Sequence, residues 1–158
     1  MFLDGTSYKF RSLGGSKFLI GLVDDCTDYT WVRVLKRKCD QVKTVMRFLR
    51  LMKAHGTPVK FIRLDNAGEN RDLQKKCEQS QDLNDITFEF TPRDAPQFNG
   101  KIERKFATMW NRVRANYQAA KLTQKLRNKL WAEACVTAID IENLLVSASH
   151  DEPSYRDS

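Results

Sequence analysis

The apolar run at residues 17–23 does most to constrain the fold, because a run without polar alternation is typical of a buried strand. A Gly-Gly turn at residues 12–16 lies immediately before it, and a modest strand pattern at residues 1–10 precedes that turn. The chain is therefore predicted to open with an antiparallel hairpin whose second strand is buried.

Strand and helix patterns then alternate along the chain. After the hairpin their order is strand, helix, strand, helix, strand, helix, helix, at residues 29–36, 39–55, 59–64, 71–79, 86–90, 99–120 and 123–145. In the third strand, Trp31 and Leu35 are predicted on one face and Val32 and Val34 on the other. The fourth strand is short and apolar and follows a helix, which indicates a parallel crossover.

Length and composition predict one globular domain. The 158 residues, 41% hydrophobic and 30% charged, are enough for a single substantial core. We predict a core at residues 1–147 and a polar tail at residues 148–158. No apolar run approaches the roughly 18 residues that span a bilayer, so no membrane role is predicted. Residues 1–15 lack the apolar centre of a signal peptide, which favours an intracellular setting.

The four cysteines, Cys26, Cys39, Cys77 and Cys135, are widely spaced and form no Cys-x-x-Cys pair. Both histidines also lie far from any cysteine in the sequence, so no structural zinc is predicted. We expect reduced thiols, with Cys135 buried on a helix face.

The formal net charge of +7 favours a polyanionic partner, because Lys and Arg side chains gain affinity by releasing counterions from a phosphate backbone. A basic surface without such a partner is the alternative. The basic residues are unevenly spread, and a group of them crowds around Glu103: Lys101, Arg104, Lys105, Arg112 and Arg114. This crowding favours nucleic acid as the partner.

Three carboxylates are the candidate site residues: Asp4 on the first strand, Asp65 at the end of the fourth and Glu103 on a helix. Asp65 could instead turn the chain, and Glu103 could be a solvated charge paired to basic neighbours. The hairpin adds a further candidate. A turn centred just after Leu13 would set Asp4 opposite Val23 or Asp24 and bring Asp24 or the next aspartate, Asp25, toward the same site, although a structural role for that pair is the alternative.

The helix at residues 99–120 carries an apolar stripe formed by Ile102, Phe106, Met109, Val113 and Tyr117. About 100° of rotation per residue puts Glu103 at the edge of this stripe, and Lys101, Lys105 and Arg112 on the opposite flank. The basic flank is predicted to be solvent-exposed. At the start of the helix, Asn99 can cap it and Gly100 lets a backbone approach closely; with Lys101 this end would also attract a phosphate.

Five motifs in order resemble a known family. They are Val23-Asp24-Asp25 leading to Trp31, Asp65-Asn66 with Gly68-Glu69, Asn99-Gly100 followed by Glu103-Arg104, the run Trp131-Ala132-Glu133-Ala134, and Asn143. With the order of elements, they make the chain similar to the catalytic core of a retroviral-type integrase, and most similar to copia-type retrotransposon integrases. The resemblance implies an α/β, ribonuclease H-like fold with a five-stranded mixed sheet flanked by helices on both faces.

The resemblance also implies a site and an activity. Asp4, Asp65 and Glu103 would be the catalytic and metal-binding triad, and their hard oxygens suit two Mg²⁺ or Mn²⁺ ions about 3.5–4 Å apart. One ion would activate the attacking oxygen, and the other would stabilise the leaving 3′-oxygen. The implied activity is that of a polynucleotidyl transferase and endonuclease, which processes DNA 3′ ends and transfers strands by phosphoryl transfer.

Partners follow from the same resemblance. Nucleic acid, namely the element ends and target DNA, would be bound by Asn99, Gly100, Lys101, Arg104 and Lys105. A homo-oligomer and a nuclear location are expected, and the zinc-binding and carboxy-terminal DNA-binding regions of a complete integrase would belong to a longer polyprotein.

Two features depart from the family pattern: Gly5-Thr6 stands where Gly-Pro is usual, and Ala67 stands where glycine is usual. Only three residues precede Asp4, so the first strand is expected to be cut short, and a catalytically inactive nucleic-acid-binding remnant of the same fold is kept as an alternative. A nuclease acting on RNA in hybrids is a third, disfavoured by the Asn-Gly-x-x-Glu helix.

Overall fold

A computed structural model of the protein describes residues 1–92 and 100–145. Its elements are β1 (Phe2–Ser7), β2 (Phe18–Val23), β3 (Thr30–Leu35), α1 (Asp40–Ala54), β4 (Phe61–Leu64), α2 (Gly68–Glu78), β5 (Thr87–Phe90), α3 (Gly100–Ala119) and α4 (Gln124–Leu144). The order agrees with the sequence prediction. Residues 93–99, which include the predicted cap Asn99, and residues 146–158, which include the predicted tail, lie outside the described residues.

The five strands form one mixed sheet in the order β3-β2-β1-β4-β5. β1 pairs antiparallel with β2, and β2 antiparallel with β3. β4 pairs parallel with β1 and with β5, because α1 and α2 carry the chain back to the same end of the sheet between these strands. The predicted crossover is confirmed.

Two apolar cores lie on opposite faces of the sheet. One joins the sheet to α1 and α2 through buried residues that include Leu22, Leu35, Val45, Leu64 and Leu73. The other joins it to α3 and α4 through Leu19, Val32, Met109, Val113 and Trp131. The alternation along β3 is as predicted, since Trp31 packs with the first core and Val34 with the second.

The register of the hairpin differs from the prediction. Asp4 lies opposite Gly21, not Val23 or Asp24. Residues 9–11 are the cause: Tyr8 still pairs with Lys17, with the Tyr8 N–H donating to the Lys17 carbonyl at 2.9 Å, but the turn that follows closes from Ser12 to Ser16. The extra residues on one side shift the pairing, and the Trp131 indole of α4 holds them by donating to the Phe10 carbonyl at 2.9 Å.

Among the helices in the described part of the chain, none combines the length and apolar character needed to cross a bilayer. Cys135 is buried, as predicted; Cys77 is buried as well, whereas Cys26 and Cys39 are exposed.

Candidate active site

The parallel pairing of β1 with β4 brings Asp4 and Asp65 side by side. Phe2 is the register partner of Arg63. Asp4 comes two residues beyond Phe2 along β1, and Asp65 two residues beyond Arg63, immediately after β4 ends at Leu64. Because adjacent strands lie about 4.8 Å apart, two carboxylates at matching positions stand close to one another. This juxtaposition depends on backbone pairing alone.

Helix α3 brings Glu103 to the same region. A Cβ atom on Gly21, the partner of Asp4 in the ladder, would lie 2.6 Å from Phe106 and 3.7 Å from Ile102. The first turns of α3 therefore press against the sheet where Asp4 stands. Glu103 lies between these two apolar contacts and is itself exposed.

The electrostatics of Asp4 connect the three carboxylates. Burial raises the pKa of Asp4 most, the N–H of Gly5 lowers it by donating to Oδ1 at 2.7 Å, and the negative charges of Asp65 and Glu103 raise it further. The net shift is upward, as expected where like charges share a site. Across residues 1–92 and 100–145, however, no three acidic, histidine or cysteine side chains are gathered tightly enough to hold a metal ion.

Asp65 is held by its neighbours through one oxygen. Its Oδ1 accepts from the N–H of Ala67 at 3.2 Å and from Nδ2 of Asn70 at 2.6 Å. Asn70 in turn accepts from Nε2 of Gln41, on α1, at 2.9 Å. Asp65 therefore does take part in the turn into α2, the structural alternative, and it also faces a cavity.

That cavity, of about 230 Å³, is bordered by both aspartates of the candidate site and by further polar residues that were not predicted as site residues, among them Lys38, Gln41, Glu69 and Asn70. Lys38 Nζ lies 2.9 Å from a Glu69 oxygen at its edge. The hydrogen bond and the charge of Lys38 lower the pKa of Glu69. Glu69 was noted only as part of a motif.

Comparisons with known proteins bear on the relatives and the fold of the chain. No family model matches the chain. It is 31% identical over 138 residues to the retrovirus-related Pol polyprotein from transposon TNT 1-94 of Nicotiana tabacum, an alignment covering 85% of this chain. The chain spans 10% of that relative's length.

Solved structures share the fold. A chain of the simian T-cell lymphotropic virus intasome in complex with PP2A regulatory subunit B56 gamma matches with a TM-score of 0.67 and 18% identity, over 96% of this chain and 50% of that one. The HTLV-2 integrase catalytic core domain in complex with magnesium matches in its trimeric form with a TM-score of 0.59 and 21% identity, over 92% and 84% of the two chains. Its dimeric form matches with a TM-score of 0.60 and 20% identity, over 92% of this chain and 86% of that one.

In sequence the chain is related to a retrovirus-related Pol polyprotein, and in fold it is similar to the catalytic cores of retroviral integrases. The predicted α/β, ribonuclease H-like fold with a five-stranded mixed sheet and helices on both faces is confirmed. The roles assigned to Asp4, Asp65 and Glu103 stay predictions, as does the domain boundary at residue 147.

The basic flank of α3 is not the solvent-exposed surface that helical periodicity predicted. Lys101 Nζ contacts Asp28 at 2.6 Å and Asp25 at 3.0 Å, and Lys105 Nζ lies 4.0 Å from Asp28. Burial acts to lower the pKa of Lys101, but the hydrogen bonds that its ammonium donates to these two aspartates outweigh the burial and raise the pKa.

Acidic side chains also contact the next basic residue of this flank, and the two aspartates after β2, Asp24 and Asp25, have partners of their own. Arg112 lies 2.6 Å from Glu142 of α4. Asp24 accepts from the backbone and hydroxyl of Thr27, both at 2.9 Å, and Asp25 faces Lys101. The acidic pair is engaged in the turn and in ion pairing, in line with its structural alternative. Arg104, by contrast, is exposed, and Gly100 begins the helix.

Proposed function

We propose that this chain is the metal-dependent catalytic core of a retrotransposon integrase, which cuts and joins DNA by phosphoryl transfer. It would process the 3′ ends of the element and transfer them to target DNA. The observation that carries the proposal is the pairing of β1 with β4, which sets Asp4 beside Asp65, together with the contact of α3 against Gly21, the ladder partner of Asp4. Carboxylates from β1, from the end of β4 and from α3 repel one another at Asp4, which costs energy unless a cation balances them.

Asp4, Asp65 and Glu103 would hold Mg²⁺ or Mn²⁺, as two ions. Their carboxylate oxygens are the hard ligands that these cations prefer. A related fold was solved in complex with magnesium. Bound there, the cations would activate the attacking water or DNA 3′-hydroxyl and stabilise the leaving 3′-oxygen. The carboxylates of this chain would fix the position of those reacting oxygens.

The first turns of α3 would bind the DNA backbone through Asn99, Gly100, Lys101, Arg104 and Lys105. Arg104 is exposed and ready to meet a phosphate. Lys101 and Lys105 would exchange Asp28 for a phosphate, so binding at these two positions would be an exchange of ion pairs. A homo-oligomer fits the trimeric and dimeric forms of the related core. We place the protein in the nucleus, where its DNA targets would be.

The decisive test compares Asp65→Asn with Asp72→Asn, which makes the same change on an exposed site of α2, where Asp72 pairs with Lys76 at 2.9 Å. Thermal unfolding is followed with and without Mn²⁺, and nicking and joining of labelled DNA are followed in parallel. Mn²⁺ should stabilise the unchanged chain and Asp72→Asn. Asp65→Asn should lose both the stabilisation and the activity; if it keeps both, the proposal fails.

An inactive, nucleic-acid-binding remnant of the same fold is the second candidate. It is favoured by the lack of a tightly gathered metal-binding group among the described residues. Such a remnant would bind DNA with a salt dependence typical of phosphate contacts, but Mn²⁺ would change neither its stability nor the DNA. The experiment above separates the two candidates.

A further inference from the structure

Two side-chain amides connect helix α1 to the carboxylate of Asp65. Gln41 donates from Nε2 to Oδ1 of Asn70 at 2.9 Å. Asn70 donates from Nδ2 to Oδ1 of Asp65 at 2.6 Å, and its Nδ2 also lies 3.3 Å from the Asp65 carbonyl oxygen. The chain of hydrogen bonds thus runs from α1, through the first turn of α2, to the end of β4.

Both amides are buried, with Gln41 7% and Asn70 4% exposed. Burying an amide costs free energy unless its hydrogen bonds are made, and a pair of apolar side chains would pack α1 against α2 without that cost. Gln41 also stands in the same helical row as Val45 and Leu49, which belong to the core. Packing alone therefore does not explain why amides occupy these positions.

The geometry at Asp65 gives a reason. Both hydrogen bonds that its carboxylate accepts from residues 1–92 and 100–145 go to Oδ1. This leaves Oδ2 for another ligand while the carboxylate is held in one orientation. An amide suits this task because it carries no charge, so it orients the carboxylate without competing with a cation. Gln41 also reaches β1, since its Oε1 lies 3.6 Å from the Cβ position of Gly5, beside Asp4.

We propose that Gln41 and Asn70 are positioning residues that orient the Asp65 carboxylate for a divalent cation. The inference rests on the proposed function, because it assigns these residues to the same site. Asn70 acts directly on Asp65, and Gln41 acts through Asn70. Second-layer partners of this kind usually contribute 10- to 100-fold to metal affinity.

The test measures Mn²⁺ affinity by calorimetry on folded protein. Asn70→Leu should weaken binding by about 10-fold or more. Gln41→Met should weaken it less, and combining it with Asn70→Leu should add nothing, because Gln41 acts through Asn70. Gln74→Met is the matched control, since Gln74 bonds only to Glu78 among the described residues, at 2.9 Å on the outer side of α2, and should bind as the unchanged chain does.

The outcomes separate this inference from the proposed function. If Asn70→Leu folds and binds Mn²⁺ with unchanged affinity while Asp65→Asn does not bind, the positioning role is overturned and the proposed function stands. If the unchanged chain itself does not bind Mn²⁺, the proposed function is overturned and the positioning role with it.

A measurement on the unchanged chain keeps the inference testable if Asn70→Leu does not fold. In ¹⁵N-labelled protein titrated with Mg²⁺, the side-chain NH₂ signals of Asn70 and Gln41 should shift with the same midpoint as the backbone N–H of Ala67, the other donor to Asp65. The side-chain NH₂ signals of Gln74 should not shift during the titration. If the Ala67 signal shifts while those of Asn70 and Gln41 do not, the positioning role is overturned.

Discussion

Gly21 and Phe106 meet so closely that a Cβ atom on Gly21 would lie 2.6 Å from the edge of the Phe106 ring. Gly21 is the ladder partner of Asp4, and Phe106 is on α3 one turn after Glu103. The lack of a side chain at Gly21 thus sets how near α3 approaches the strand that carries Asp4.

Gly21→Ala should therefore displace Phe106 and with it the start of α3. Overpacking of a core typically costs about 1–3 kcal/mol, which urea unfolding would measure as a lower midpoint with an unchanged slope. DNA joining should fall as well, because Glu103 moves relative to Asp4. Gly14→Ala is the control: its Cβ would come no nearer than 3.9 Å to Ser12 Oγ, so the free energy of unfolding should change by less than about 0.5 kcal/mol. Equal stability of the two variants would contradict the close-contact argument.

Asn143 should be the most sensitive polar residue of α4. Its side chain accepts from the Thr30 N–H at 3.0 Å and donates to the Thr30 carbonyl at 2.8 Å, in a buried contact between α4 and β3. Asn143→Ala leaves both backbone groups of Thr30 unsatisfied, at about 1–3 kcal/mol each. Asn116→Ala, on the exposed side of α3, should cost far less in the same urea unfolding experiment. If Asn143→Ala lowers the free energy of unfolding no more than Asn116→Ala does, the contact between Asn143 and Thr30 contributes nothing to stability.

Local sequence patterns predicted the elements and their faces but not the contacts between distant residues. Alternation in β3 gave the right faces for Trp31 and Val34, because that period follows from the backbone itself. The register at Asp4 was missed because it depends on residues 9–11 being held by Trp131, more than a hundred residues away.

At the candidate site, too, local patterns did not predict contacts between residues that are distant in the sequence. Helical periodicity put Lys101 on the correct flank of α3, but it carries no information about Asp28, in the turn between β2 and β3, which meets Lys101 only in the folded chain. The buried amides Gln41 and Asn70 were missed for the same reason. A polar residue on the apolar row of α1 was the one local signal that could have identified Gln41.

Asp28→Asn tests whether the Lys101 ion pair limits DNA binding. Asp28 adopts a φ of 61°, a conformation that asparagine tolerates well, so the turn should be preserved. Neutralising Asp28 removes the shorter of the two ion pairs of Lys101 and leaves it the pair with the exposed Asp25, so a phosphate can displace it more easily. Each additional phosphate that the protein neutralises should steepen the slope of log K against log salt by about 0.9. Asp72→Asn adds the same formal charge on α2 as a control. Fluorescence anisotropy with duplex DNA at several salt concentrations measures both; equal slopes would mean that Lys101 does not reach DNA.

Asp4→Asn should stabilise the metal-free protein near neutral pH. Because the pKa of Asp4 is raised above its ordinary 3.8 by burial and by the neighbouring carboxylates, the folded chain binds more protons than the unfolded chain between the two pKa values. The free energy of unfolding therefore falls as pH rises through that window, and the ionised Asp4 costs stability above it. Asparagine removes this cost, so the gain should be present at pH 7 and vanish near pH 3.

Thermal unfolding of Asp4→Asn and the unchanged chain across this pH range measures the difference. Asp85→Asn, at an exposed carboxylate 3.9 Å from Lys53, is the control and should show no such pH-dependent gain. With Mn²⁺ at pH 7 the unchanged chain should become the more stable of the two, because the cation stabilises the chain that keeps all three carboxylates and adds little to the stability of Asp4→Asn. A variant that is less stable than the unchanged chain without metal would mean that Asp4 is stabilised by its surroundings, contrary to the crowding of negative charge proposed for the site.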